Sequence, residues 1–306
     1  MSLGDFLANR LKRHQSFGKS LARVVRKAFP HNVIVLEYPT DARPRWDEQR
    51  PNPHLYAVIS KHRTAYAECL RSFLPFTANF SRIPARPPAS HPPGEPYWIN
   101  DWLPALDSIA LYGLLALNNP AQYLEVGSGN STKFARRAIR DHGLRTRITS
   151  IDPSPRAEID EICDHVIRQP VESVEPDTFD ILQPGDILFI DSSHRTLMNS
   201  DVTMLFLDVV PRLRPGVLVQ VHDVTLPCDY PPQWSDRFYS EQYLLAAYLL
   251  AGGERLEIVL PCAFASDDPE LRGILEPLWS AEWMTGAEPY GCSFWFRTKG
   301  PRRSSQ

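Results

Sequence analysis

Residues 121–139 read AQYLEVGSGNSTKFARRAI, and the rest of the chain is understood outward from them. Tyr123, Leu124, Glu125 and Val126 are a short, mostly strand-forming run, which Gly127, Ser128, Gly129 and Asn130 break. Ser131 and Thr132 are helix-capping residue types, and 133–140 is rich in helix formers. The spacing predicts strand, tight glycine turn, helix. Glycines let the backbone bend sharply and approach a ligand closely, and a helix start offers unpaired N–H groups to polar or anionic atoms. Glu125, near the strand's end, has no evident packing role. The stretch is expected to hold a nucleotide-type cofactor.

Composition narrows the class. The 306 residues are 43% hydrophobic and 23% charged, enough for one sizeable globular domain plus an appendage. A net charge of −3 argues against a general nucleic-acid binder. The longest apolar run near a helix, 243–251, is far short of a membrane span, and no signal-peptide pattern opens the chain. Five cysteines, scattered and never in a C-x-x-C pair, suggest reduced thiols, a cytoplasmic location and no zinc site.

The first hundred residues read differently from the rest. Residues 4–28 form an amphipathic helical pattern, with seven Lys or Arg in 1–28 against the single Asp5. A solvated face on a docked helix explains this better than a membrane-surface or partner-binding role. A strand within 31–39 and a helix over 56–73 come next. Residues 83–96 carry six prolines in fourteen positions, too stiff and donor-poor for sheet or helix. The expected division is an N-terminal helical and irregular extension with a proline-rich linker, 1–96, and a main domain, 97–300.

Within the main domain strands and helices alternate. A helix over 103–116 precedes the first strand. Further strands are expected at 147–151, 165–167, 186–190, 217–221 and 256–260, and a last one at 293–297, antiparallel beside the sixth. Helices are expected at 156–163, 200–213 and 235–250. The pattern implies an α/β, Rossmann-like, doubly wound and mostly parallel seven-stranded sheet with helices on both faces. Sites in such sheets lie at the carboxyl ends of the strands. Four ends carry polar residues: Glu125, Asp152, Asp191 and the pair His222 and Asp223. Turn chemistry explains one such acid readily, but not four on the ligand-binding edge.

The dinucleotide fingerprint needs glycines at positions one, three and six, and the sixth position here is Thr132. An acid two places before the first glycine, E-x-G-x-G, resembles motif I of class I S-adenosylmethionine-dependent methyltransferases, with Ser131 at the usual third glycine. Asp152, ending the second strand, can accept hydrogen bonds from both ribose hydroxyls of an adenosine cofactor, and Glu172 comes after the third strand near where adenine sits in that family. The stretches DILFIDSSHRTLMNSD (186–201) and VHDVTLPCDYPPQW (221–234) narrow the resemblance. They are similar to the branch containing metal-dependent sugar O-methyltransferases and cephalosporin-hydroxylase-like proteins. The likeness spans about 97–297.

That resemblance implies S-adenosylmethionine held by Glu125, Gly127, Ser128, Gly129, Asp152 and Asp191. It also implies a divalent metal, Mg²⁺ or Mn²⁺, held by Asp191, His222 and Asp223. His222 stands where the branch often has Glu, which favours a softer metal than Mg²⁺. His194, three residues past Asp191, is the implied base. The expected reaction is O-methylation of a small or sugar-containing metabolite, metal-assisted, by a chain with no nucleic-acid partner and capable of homo-oligomerisation. Residues 229–239, with Asp229, Tyr230, Trp234, Arg237 and Tyr239, fall where acceptor pockets form. Two alternatives stay open: an NAD(P)-linked oxidoreductase on the same scaffold, and a cofactor-binding relic without chemistry.

Overall fold

The apolar runs of the sequence enter one seven-stranded sheet. Its strands are β1 Gln122–Val126, β2 Arg147–Ile151, β3 His165–Ile167, β4 Ile187–Ile190, β5 Leu218–Val221, β6 Leu256–Pro261 and β7 Phe294–Thr298. The computed structural model describes residues 40–251 and 255–300, with 24, 27 and 28 besides. The basic helix expected within 4–28 and the strand within 31–39 lie outside the described residues, those three positions apart. Two compact units divide the chain, 1–43 and 44–306, and the sheet belongs wholly to the second.

The order across the sheet is β3-β2-β1-β4-β5-β7-β6, parallel throughout except for β7, which is antiparallel to both neighbours. β7 therefore pairs with β6 as expected and also inserts against β5. Phe294, Trp295 and Phe296 are all buried, so both faces of this strand carry large apolar groups. Its interior position also pairs both hydrogen-bonding edges, one of which an edge strand would leave open.

Register levels the strand ends. Val126 lies opposite both Ile151 and Ile190, and Ile190 lies opposite Val221. The ladder runs one residue further: Gly127 N donates to Ile151 O at 3.0 Å, Asp191 N to Val126 O at 2.8 Å and His222 N to Ile190 O at 2.8 Å. Gly127, Asp152, Asp191 and His222 thus emerge side by side on one edge. The chain order reverses between β1 and β4, which is where doubly wound sheets open a crevice.

Five helices matter for the site and its support: α1 Pro53–Ile59, α2 Arg63–Arg71, α3 Ala105–Asn118, α4 Asn130–His142 and α5 Glu241–Leu250. In α4, Ser131, Phe134, Ala135, Ala138 and Ile139 are buried, the i, i+3, i+4, i+7, i+8 stripe of a helix lying on a sheet. Gly143 ends it in the left-handed conformation, φ 58°. α3 is buried on every side from Ala105 to Leu115, so it needs cover from both directions.

That cover comes from residues that the sequence pattern assigns to the N-terminal extension. A Cβ on Gly113 of α3 would sit 2.3 Å from the Phe73 ring. Phe80 packs on Trp98 and Tyr112 at ring distances of 5.7 and 5.1 Å, and Trp98 meets Phe134 at 5.3 Å. The aromatic side chains of 53–83 thus complete the main core within the unit 44–306.

Three expected helices differ from what forms. Over 156–163 only Asp160–Ile162 turns, as a 3₁₀ helix; Ile159 is the one buried residue of the eight, and one apolar anchor makes no helix stripe. Over 200–213 the helix is α only at Asp201–Met204, then widens to a π turn at Leu205–Val209 and tightens to 3₁₀ at Val210–Arg212. Pro211 has no N–H to continue an α ladder. Over 235–250 a 3₁₀ segment, Pro232–Arg237, is cut from α5 by Phe238 at φ 52°. The helix expected over 56–73 is likewise α1 and α2 joined by a 3₁₀ turn, Ser60–His62.

Candidate active site

The strand ends line one cleft of about 530 Å³. Its wall runs from Asp152 and Glu172, past Gly127 and Ser128, to Asp191, Ser192, His194, His222 and Asp223. The volume lies within the range of sites that take a small molecule or cofactor, about 300–1,000 Å³. Gly127 is at φ 82°, and a Cβ there would stand 1.7 Å from the Asp191 carbonyl oxygen. Only glycine lets the first loop and the β4 end touch. Ser128 N donates to Asp152 Oδ2 at 2.9 Å and Ser154 N to Asp152 Oδ1 at 2.8 Å, so backbone amides fix the acid at the β2 end. Ser192 Oγ is buried and has no hydrogen-bond partner among the described residues, a polar atom open to a ligand's donor or acceptor.

Two of the sequence's cofactor residues stand apart from this wall. Gly129 opens onto an adjoining recess with Ser128, Asn130, Lys133 and Asp191. Glu125 is fully buried beneath the loop. Its Oε2 accepts from Tyr123 Oη at 3.0 Å and Ser131 Oγ at 3.1 Å, and Thr132 Oγ1 donates to its Oε1. Burial pushes its carboxyl up to about 7, against the pull of the three hydroxyls. Glu125 braces the loop and the start of α4 from below, so any service to a ligand passes through the loop it holds.

At the other end, two imidazoles and two carboxylates alternate. His194 Nε2 lies 3.2 Å from Asp191 Oδ1 and 3.5 Å from Asp223 Oδ2. His222 Nδ1 lies 3.6 Å from Asp191 Oδ1 and 3.4 Å from Asp223 Oδ1. Each imidazole has a further carboxylate behind it: Glu241 Oε2 at 2.9 Å from His194 Nδ1, and Asp107 Oδ2 at 3.4 Å from His222 Nε2. His194 and Asp223 both hold left-handed backbone, φ 59° and 53°. Such conformations carry a penalty of order 1 kcal/mol or more for non-glycine residues and gather where function fixes them.

Charge is set by this alternation. Burial alone would raise Asp191, but His222 and His194 outweigh it and hold the carboxyl well below the usual range. Burial would lower both imidazoles; Asp191 and Glu241 instead hold His194 well above its ordinary value. Asp191, Asp223 and Asp107 are among the groups doing the same for His222. Among the described residues, the three-ligand group whose donor atoms all lie within 4.8 Å is Asp107, His222 and Cys292, not Asp191, His222 and Asp223. His222 faces two ways, with Asp191 and Asp223 on its Nδ1 side and Asp107 and Cys292 on its Nε2 side.

Trp234, Arg237, Tyr239 and Tyr290 complete the cleft beyond the imidazoles. The Arg237 guanidinium lies 4.8 Å from the Trp234 ring centre and 5.6 Å from that of Tyr239. Asp229 turns away, accepting from Arg45 N at 2.6 Å and Trp46 N at 3.1 Å. The sequence reading missed Asp107, Glu241 and Cys292. Asp107 had a signal, a lone acid inside an otherwise apolar helix; its oxygens accept from Cys292 N at 2.8 Å and Ser293 N at 2.9 Å. Glu241 reads as an ordinary acid within the helix expected over 235–250 and had none.

Residues 124–224, from β1 to just past the β5 end, match the family described as a methyltransferase domain. No curated relative matches the chain. Similar solved structures include the SAH-bound Podospora anserina methyltransferase PaMTH1, at 14% identity and TM-score 0.38 over 64% of this chain and 79% of that one. The O-methyltransferase from Bacillus cereus in complex with SAH shows 16% identity and TM-score 0.36 over 76% and 91%. The plantazolicin methyltransferase BpumL shows 13% identity and TM-score 0.39 over 62% and 85%. Likenesses this distant carry no argument about chemistry. The sheet order and the glycine loop abutting the β4 end fall in the same stretch that matches the methyltransferase-domain family.

Proposed function

We propose that the chain transfers a methyl group from S-adenosylmethionine to a hydroxyl oxygen of a small, sugar-containing metabolite, in the cytoplasm. The observation that carries this reading is the placement of His194 Nε2, 3.2 Å from Asp191, in the same cleft as Gly127 and Asp152. The cofactor would lie across Asp152, Gly127 and Ser128, with the acceptor between the imidazoles and the wall of Trp234, Arg237 and Tyr239. Aromatic faces and a guanidinium suit a polar ring. Five unpaired cysteines agree with a reducing compartment.

The chemistry needs little beyond placement and proton removal. The acceptor oxygen attacks the methyl carbon in line, the C–S bond breaks toward sulfur, and the sulfonium leaves as a neutral thioether. The hydroxyl proton passes to His194 Nε2. Burial works against a charged ring, but Asp191 and Glu241 outweigh it and raise the affinity of His194 for the proton it would take. Positive charge near Asp191 and Asp223 would weaken that hold.

A divalent ion of the Mn²⁺ type would have to draw Asp191, Asp223 and His222 together, since their donor atoms do not all lie within 4.8 Å of one another as those of Asp107, His222 and Cys292 do. Asp191, Asp223 and His222 offer oxygen and imidazole donors in steps of 3.4 and 3.6 Å, with His222 oriented by Asp107 behind it. When bound there, such an ion would polarise the acceptor hydroxyl.

The test is transfer of a labelled methyl group from S-adenosylmethionine to a panel of hydroxylated sugars and glycosides. Label should appear on oxygen, chelation should lower the rate, and Mn²⁺ should restore it at least as well as Mg²⁺. Asp223→Ala should lose the metal-stimulated rate and keep cofactor affinity. Label on nitrogen or carbon would contradict the oxygen assignment. Full activity in excess chelator, with Asp223→Ala at the parent rate, would remove the metal and leave His194 acting alone.

A further inference from the structure

We infer that Glu241 is a positioning residue for this reaction: through His194 Nδ1 it fixes the imidazole so that Nε2 is the nitrogen presented to the cleft. The inference rests on the reading of His194 as the base. Glu241 is the first residue of α5 and is fully buried. Its Oε2 meets His194 Nδ1 at 2.9 Å, while its Oε1 has no partner among the described residues. A buried carboxylate with one oxygen unsatisfied is a poor stabiliser, and an apolar side chain of that size would serve packing better. Stability therefore does not account for a glutamate at this position.

The rest of the contact is built around the same histidine. Ser240 N and Glu241 N donate to the His194 carbonyl at 2.8 and 3.2 Å. Ser240 Oγ accepts from Thr196 N at 2.8 Å. The Tyr239 ring lies 4.6 Å from the imidazole, centre to centre. Residues 239–241 thus grip His194 on its ring face, its Nδ1 and its carbonyl, and hold it in left-handed backbone. With Nδ1 occupied by Glu241, the ring has one orientation in which Nε2 meets Asp191 and Asp223. A ring turned over would bring carbon atoms to both contacts. A carboxylate behind an imidazole sets its orientation and supports positive charge on the ring as it takes a proton. The same loop supplies Trp234, Arg237 and Tyr239 to the acceptor wall, so one segment shapes the acceptor pocket and aims the base.

The experiment is a double-mutant cycle in the full chain, reading kcat, acceptor KM, cofactor Kd and the thermal midpoint for the parent, Glu241→Gln, His194→Ala and the double variant. Glu241→Gln should lower kcat by about a hundredfold, the low end of what a positioned base contributes. Acceptor KM and cofactor Kd should stay within about threefold, and in the His194→Ala background the same change should have no further effect on kcat. A kcat within about twofold of the parent would overturn the inference. So would an equal loss in both backgrounds, or a fall in cofactor affinity and thermal midpoint that tracks the fall in kcat, the pattern of a structural role. If Glu241→Gln does not fold, Ser240→Ala takes its place: it loosens the Thr196 contact and should lower kcat severalfold at unchanged cofactor Kd, and an unchanged kcat counts against the clamp. An undiminished rate in His194→Ala would instead remove the base itself, which separates failure of that reading from failure of the inference about Glu241.

Discussion

Asp191 is where the two halves of the cleft meet. Its carbonyl abuts Gly127 of the cofactor loop, its N–H bonds Val126 of β1, and its carboxylate lies between His194 and His222. A single residue so placed couples the loop that receives the cofactor to the groups that would receive the acceptor's proton. Glu125 works from beneath, and its raised carboxyl gives a pH test. Its folded value is about 7 against an ordinary value of 4.5, so the folded state holds a proton there that the unfolded chain gives up. Stability from this group is greatest below the ordinary value and falls as pH rises through 7, by about 3 kcal/mol in all. Urea unfolding of Glu125→Gln at pH 5 and pH 8 should show that decline flattened relative to the parent. Equal declines in the two proteins would show that Glu125 is already ionised in the fold.

At the scale of elements, the glycine loop works because α4 is held against the sheet. Phe134 is fully buried between the sheet and Trp98, so Phe134→Ala should destabilise by about 3–5 kcal/mol in denaturant unfolding, and a loss under 1 kcal/mol would show that α4 packs elsewhere. The strands were legible in the sequence to within a residue at each end, since apolar runs bounded by glycine, proline and acids leave little choice of register. Helix α4 was legible for the same reason, as its stripe and its glycine stops agree. The segments at 156–163, 200–213 and 235–250 were not. The break at Pro211 is local, a missing donor that the sequence carries, whereas the single buried anchor at Ile159 and the demand of His194 for the start of α5 are tertiary. The covering role of α1 and α2 was equally hidden, because nothing local says that Phe73 will lie against Gly113.

For the whole molecule, the sheet order brings four strand ends to one edge, and that is why a sequence with acids at those ends could reveal the site's main residues. Asp152, Asp191, His222 and Asp223 were singled out by their strand ends and His194 by the resemblance, and all five line the cleft. Asp107 and Glu241 escaped because they reach the imidazoles from helices distant in sequence, a relation that only the packed fold creates. Every role assigned to the cleft depends on the cofactor, and calorimetric titration of the chain with S-adenosylmethionine, S-adenosylhomocysteine and NADH tests it most directly. The two sulfur compounds should bind and NADH should not. Asp152→Ala should weaken them by about 1.5–3 kcal/mol for each hydrogen bond lost, or tenfold and more in Kd. Binding of NADH with none of S-adenosylmethionine, or an Asp152→Ala variant that binds S-adenosylmethionine as tightly as the parent, would contradict the placement of the cofactor in this cleft.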